Sequence, residues 1–167
     1  LQGKDHSWCF LEAVRTNLGQ SRVVTVAYYA LVDFARFAEA ATAGAGVAVG
    51  LIGVPWEGET GGPVEIAAAD RTALPLAFDH AEILGMAVKR LRGKLDYTPV
   101  GFQLLPGAFT LLELQRVHET VLGRPVNKDS FRRRMLASGQ LEATGTSQTD
   151  VDHRPAELYR FARRSAV

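Results

Sequence analysis

The densest concentration of chemistry in the sequence lies in residues 123–134, GRPVNKDSFRRR, where Arg124, Lys128, Arg132, Arg133 and Arg134 face a single acid, Asp129. Five cations against one anion give a local charge of +4 in twelve residues. Arginine donates in pairs to the guanine edge in the major groove, and asparagine pairs in the same way with adenine. On a helix turning by ~100° per residue, Phe131 and Met135 share the inward side. Ser130, Arg133 and Arg134 then face away, with Asp129 alongside and Lys128 and Arg132 on the flanks. Asn127, Lys128 and Ser130 stand at the helix start, within reach of phosphates, where unpaired backbone N–H groups also favour an anion. The chemistry on offer is recognition of double-stranded DNA. A solvated basic face with local ion pairs is the competing reading, and the order of the flanking elements weighs against it.

A second candidate contact is the segment GTSQTDVDHRP, residues 145–155, which offers Thr146, Ser147, Gln148, His153 and Arg154. A loop between two strands beside such a helix commonly follows the phosphate backbone, although Asp150 and Asp152 would repel it. Arg154 is divided evenly between a DNA contact and a role with Pro155 in aligning the second strand. Arg160 lies in a strand whose facing the sequence leaves open.

Catalytic chemistry fares poorly. His6, His80, His118 and His153 are scattered, without HxxxH or HxH spacing, so no metal site is expected. His80 and His118 read as packing or surface residues. Cys9 with a distant histidine is only a nominal nucleophile pair. Neither GxxxxGK[ST] nor GxGxxG occurs, and GETGG is acidic where a phosphate would sit, which leaves it as a turn. Arg163 and Arg164 read as a solvated tail. No catalytic residue and no cofactor is assigned.

Composition agrees. With 47% hydrophobic and 22% charged residues the chain has the balance of a soluble globular protein, which excludes intrinsic disorder. No apolar run approaches the ~18–20 residues of a membrane span, and no secretory signal is visible, so the expected location is the cytoplasm. One cysteine excludes an intramolecular disulfide and Cys-based zinc fingers. Net charge is +1, but residues 1–75 hold five Lys/Arg against eight Asp/Glu (−3), and residues 76–167 hold fourteen against ten (+4). Such asymmetry suggests that the second half meets a polyanion.

The elements that must position these groups divide near LPLA, residues 74–77. Before it, residues 22–32 (RVVTVAYYALV) are apolar in both alternating sets, the pattern of a strand covered on both faces. Residues 34–50 lose periodicity and read as a loop with a short helix at its start. Residues 46–54 and 64–68 are further strand candidates. After the boundary, Asp79 and Glu82 suggest a capping box for a helix with Leu84, Val88 and Leu91 on one face, ended by Gly93. Residues 100–105 read as extended. Thr110 and Glu113 form a second capping box, with Leu114, Val117 and Val121 inward and Gly123 as the stop. Asn127 caps the helix over 128–138, which Gly139 terminates, and strands follow at 141–144 and 157–161. Helix, helix, turn, helix and hairpin is the order of a winged helix-turn-helix.

The segments LAFDHAEIL, KRLRGKLDYTPVGFQLLP, FTLLELQRVHETVLGRPVNKDSFRRRMLASG and HRPAELYRF, within residues 76–161, resemble the C-terminal half of the Nudix-related transcriptional regulators of NAD metabolism. RVVTVAYYALV looks like the strand that follows the Nudix helix in that family. The resemblance implies an α+β fold, with a partial Nudix-like, effector-sensing portion at 1–75 and a winged helix-turn-helix DNA-binding domain at 76–167. It implies a homodimeric repressor of NAD biosynthesis or salvage genes that binds a palindromic operator and responds to a nucleotide such as ADP-ribose. The family's reading helix maps by position onto residues 127–138. The clustered carboxylates of a Nudix hydrolase would hold Mg²⁺ around a pyrophosphate, and no adjacent Arg-Glu or Glu-Glu pair occurs here. They would lie just upstream of residue 22, where the sequence offers about twenty residues. The alternative is a hydrolase of ADP-ribose-like substrates whose catalytic box lies outside this sequence.

Overall fold

A computed structural model describes residues 8–17, 23–32, 49–95, 104–149 and 155–162. Its contacts divide into two compact units, Leu1–Gly93 and Lys94–Val167. The fold is α+β in both.

In the first unit, β1 (Trp8–Asn17) pairs antiparallel with β2 (Val23–Val32), in a register running from Trp8↔Val32 to Asn17↔Val23. The sequence reading foresaw β2 but not β1, whose alternation is interrupted by Glu12 and Arg15. The expectation that β2 is covered on both faces is corrected. It lies in a two-stranded sheet with β1, and Val26 (48%) and Tyr28 (65%) are exposed. An apolar pattern records what a strand can bury, not whether a neighbour is there to cover it. β3 (Leu51–Gly53) and β4 (Glu65–Ala67) form a short antiparallel pair, extended by a bridge from Ala67 to Ala73.

The helix α1 (His80–Lys94) buries Ile83, Leu84 and Ala87. It runs through Gly93 to Lys94 rather than stopping at Gly93. Its partner within the unit is the glycine-rich turn. The Gly85 position lies so close to the Gly62 carbonyl that a Cβ would come within 1.8 Å of it, so only glycine fits there. Val64 N–H donates to the Ala81 carbonyl (3.2 Å). Arg92, 7% exposed, donates through Nη1 to the carbonyls of Trp56 (3.3 Å) and Gly58 (3.2 Å) and lies 4.8 Å over the Trp56 ring. Lys89 Nζ donates to Thr60 O (3.3 Å). Carbonyls of GETGG and its flanks thus face the cations of α1, and the segment is a structural turn. These contacts also place α1 in the first unit, so the contact boundary lies at 93/94, later than the 75/76 division expected from sequence.

The second unit is built on α2 (Leu111–Leu122), α3 (Lys128–Ala137), β5 (Leu141–Ser147) and β6 (Glu157–Phe161). Both expected caps are present. Thr110 Oγ1 accepts from Glu113 N–H (3.2 Å) while the Glu113 carboxylate accepts from Thr110 N–H (2.7 Å), and Gly123 closes α2 at φ 69°. Asn127 Oδ1 accepts from Ser130 N–H (3.0 Å) at the start of α3. Phe109, Leu111, Leu114, Phe131, Met135, Tyr159 and Phe161 form the core. Phe109 exchanges both backbone hydrogen bonds with Tyr159 (2.9 and 2.8 Å), which ties the segment before α2 to the hairpin. Of the extended segment expected at 100–105, only Leu104 and Leu105 lie in the described residues, in a turn. Among the described residues no helix is long and apolar enough to cross a membrane.

Leu114 is 1% exposed and Leu112, on the same helix, 49%. Truncation in the core loses transfer energy and leaves a cavity, whereas truncation on the surface does little. Leu114→Ala is therefore expected to cost about 2–5 kcal/mol and Leu112→Ala within about 0.5 kcal/mol, as read from urea denaturation of the two variants.

Candidate nucleic-acid interface

The geometry of the basic helix is set by the turn that delivers it. Glu119, near the end of α2, accepts Val126 N–H (2.9 Å) and Gln115 Nε2–H (3.0 Å) on the same carboxylate oxygen. Its own carbonyl accepts Gly123 N–H (2.8 Å). Gln115 also reaches the Val126 carbonyl (3.4 Å), so both polar groups of the Val126 backbone are held from α2. Val126 packs against the core from above the turn. The first residue of the reading segment, Asn127, therefore starts from a fixed point. Sequence patterning missed Glu119, because its bond to a backbone N–H seven residues away has no period and no motif.

Below α3, Phe131 (2%) and Met135 (3%) are buried, as the helical phase requires. His118 of α2 packs its ring against Phe131 at 4.9 Å, edge-on, and shares a hydrogen bond with the Leu114 carbonyl through Nδ1 (2.9 Å). It is a packing residue.

On the other side, Lys128, Asp129, Ser130, Arg132, Arg133 and Arg134 are all exposed. The structure thus gathers six of the seven candidate residues on one helix, yet they stand in different circumstances. Asn127 is exposed, but its side-chain oxygen is engaged as the cap. The Arg134 guanidinium lies 5.8 Å over the Phe131 ring. Among the described residues, Lys128 and Arg133 make no ion pair. Arg154, with Asp150, Asp152 and His153, lies outside the described residues.

The wing is longer than expected, since β5 continues to Ser147. Its register with β6 runs Leu141↔Phe161, Glu142↔Arg160 and Ala143↔Tyr159, then resumes at Ser147↔Glu157 across a bulge. Thr144 fills the bulge by donating to Leu158 O (2.9 Å) and sharing a hydroxyl contact with Thr146 (2.8 Å), while Gly145 takes φ 75°. Thr146 and Ser147 are exposed there. Arg160 faces outward and pairs with Glu142 across the strands (2.9 Å). Among the described residues no group of three His, Cys, Asp or Glu side chains is arranged to hold a metal.

The Glu119 carboxyl is held below its ordinary value, first by the Val126 N–H and then by Gln115. A carboxylate whose pKa is lowered by folding stabilises the fold above its unfolded value, and that contribution is lost as pH falls through the folded value. Glu119→Gln should therefore be less stable than the parent near neutrality. The gap between their urea midpoints should close as pH is lowered from about 6 to about 3. A constant gap across that range would show that the charge on Glu119 does not hold the turn.

Residues 101–161 match the family described as the NrtR DNA-binding winged helix domain. The chain is 48% identical over 89 residues, 53% of its length, to the ADPR responsive transcriptional repressor NtrR of Acinetobacter baylyi, and covers 35% of that relative. It is similar to the crystal structure of Shewanella oneidensis NrtR, at 30% identity and a TM-score of 0.55, covering 92% of this chain and 64% of that one. The same protein complexed with a 27mer DNA gives 29% identity and a TM-score of 0.56, with the same coverage. The chain thus spans about a third of the curated relative and less than two thirds of the solved ones. The resemblance read from the sequence is borne out: residues 101–161 match the NrtR winged helix domain, and the chain is similar to a named NtrR repressor and to a solved NrtR.

Proposed function

We propose that this protein is a DNA-binding transcriptional regulator, a repressor of NAD biosynthesis or salvage genes that responds to ADP-ribose or a related nucleotide. The observation that carries the reading is the set of exposed cations Lys128, Arg132, Arg133 and Arg134 on α3, with Arg133 opposite the buried Phe131 and Met135, within a winged helix. Support comes from two relatives, one named as an ADPR responsive repressor and one crystallised with DNA.

In this reading α3 enters the major groove and Arg133 reaches a base edge. Asn127, Lys128 and Ser130 meet phosphate at the helix start, and Arg154 approaches with the wing. One helix reads only a few base pairs, so a homodimer on a palindrome, with half-sites about 34–36 Å apart, supplies the specificity. The DNA-binding part begins after α1, and the first unit senses the effector. The protein acts in the cytoplasm as a regulator and not as an enzyme. What supports this is that the sequence holds no adjacent Arg-Glu or Glu-Glu pair of the kind that would gather carboxylates around Mg²⁺ for pyrophosphate hydrolysis.

The test is a gel shift on promoter DNA of NAD-related genes. A shift at two protomers per duplex, reversed by ADP-ribose, is expected. No shift at low salt would overturn the DNA-binding reading, and a shift indifferent to ADP-ribose would overturn the effector. Metal-dependent release of AMP from ADP-ribose would restore the hydrolase.

Arg133 separates reading from scaffolding. Arg133→Ala should change stability by no more than about 0.5 kcal/mol, being an exposed substitution. It should weaken operator binding by about 1–3 kcal/mol and relax preference at one base pair. Titrations on operator and scrambled duplexes beside a thermal melt decide it, since loss on both sequences alike would make the contact one to phosphate only.

A further inference from the structure

We propose that Thr146, on the wing strand β5, is a specificity-determining residue that accepts a hydrogen bond from the 2-amino group of a guanine in the minor groove beside α3. This rests on the reading of α3 as the DNA-binding helix.

The bulge in β5 fixes the direction of its hydroxyl protons. Thr144 Oγ1 lies 2.9 Å from the Leu158 carbonyl, which can only accept, so the one proton of the Thr144 hydroxyl is given there. The same oxygen lies 2.8 Å from Thr146 Oγ1 and accepts the Thr146 N–H at 3.3 Å. With its proton spent, Thr144 can only accept from its neighbour, and the Thr146 hydroxyl is therefore the donor between them. Side chains two apart on a regular strand stand roughly 7 Å from each other. The contact exists because Gly145, at φ 75°, bends the strand at the bulge. Thr144 is half-buried and Thr146 exposed. The outward side of the Thr146 oxygen thus carries lone pairs and no proton.

DNA offers such an oxygen few partners. Phosphate and deoxyribose oxygens within a duplex are acceptors, so the backbone has nothing to give it. The donors are base amino groups, on adenine and cytosine in the major groove and on guanine in the minor groove. With α3 in the major groove, the hairpin beside it adjoins the neighbouring minor groove, where the guanine 2-amino group is the one donor. Thr146 is placed to reach outward. The hairpin is rooted in the core by Leu141, Tyr159 and Phe161, and Thr146 stands roughly 15 Å along β5 from Leu141, beside the last described pair, Ser147↔Glu157. Its hydroxyl is already oriented by Thr144, so little freedom is lost on binding.

The probe is a promoter duplex that the parent shifts, together with copies in which each guanine is replaced in turn by inosine. Inosine lacks the 2-amino group and keeps the major-groove acceptors of guanine. One such replacement in a half-site should weaken the parent by about 3–10-fold, the loss of a single hydrogen bond. Thr146→Val keeps the shape of the side chain and leaves Thr144 its bonds to Leu158 and to the backbone N–H, so it should melt close to the parent. On the unsubstituted duplex it should bind more weakly by the same factor, with an unchanged salt slope because no phosphate contact is lost. On the duplex whose inosine weakens the parent it should lose nothing more, since both partners of one bond have then gone. Thr146→Ser keeps the oxygen and should respond to inosine as the parent does. Parental affinity in Thr146→Val would overturn the proposal while leaving DNA binding in place. An inosine series acting alike on parent and Thr146→Val would do the same. Failure of the parent to bind any duplex at low salt would overturn the DNA-binding reading, and the role of Thr146 with it.

Discussion

The seat of Phe131 is what the basic helix depends on. Its ring is buried among Leu114, Met135, Tyr159 and Phe161, with His118 edge-on at 4.9 Å. One buried aromatic fixes the rotation of α3, and at ~100° per residue it thereby fixes where Arg132, Arg133 and Arg134 point. Burying such a side chain is worth several times what any one exposed ion pair contributes. The hydrophobic contact therefore decides the phase, and the charges follow it.

Phase alone does not place the helix along its axis. That falls to the turn, where Glu119 and Gln115 hold the backbone of Val126 and Asn127 caps the first free N–H groups. Each cap is worth about 1 kcal/mol, and a hydrogen bond to a carboxylate is stronger than a neutral one. Phe109 does the corresponding work on the other side by joining the start of α2 to β6 through the backbone. The α2–α3 pair is thus fixed at its turn and tied to the wing.

Arginine has several uses here. Arg92 is buried, spent on the carbonyls of the glycine-rich turn and the face of Trp56. Arg160 is paired across the hairpin with Glu142, and Arg134 lies over Phe131. Arg133 makes no ion pair among the described residues. Net charge counts these residues equally, although their capacity to meet an external anion differs with each partner. A glycine-rich segment calls for the same care. The run around GETGG supplies carbonyls to the cations of α1, and Gly85 exists to let the Gly62 carbonyl approach.

What the sequence by itself determined is local. Capping chemistry acts over three residues, so T-x-x-E at Thr110, Asn127 before α3 and the left-handed Gly123 were legible, and so were the inward Phe131 and Met135. The match of residues 101–161 to the NrtR winged helix domain agrees with that reading. Tertiary structure decided everything that depends on a partner far along the chain. It gave β2 the unforeseen β1 as its neighbour and left Val26 and Tyr28 exposed. It drew α1 into the first unit through Arg92 and Gly85, and it brought Glu119 to Val126 and Phe109 to Tyr159. A periodic pattern states which face can be buried. The covering surface, and the acid or carbonyl that meets a given arginine, are set by distances in space, which no local spacing encodes.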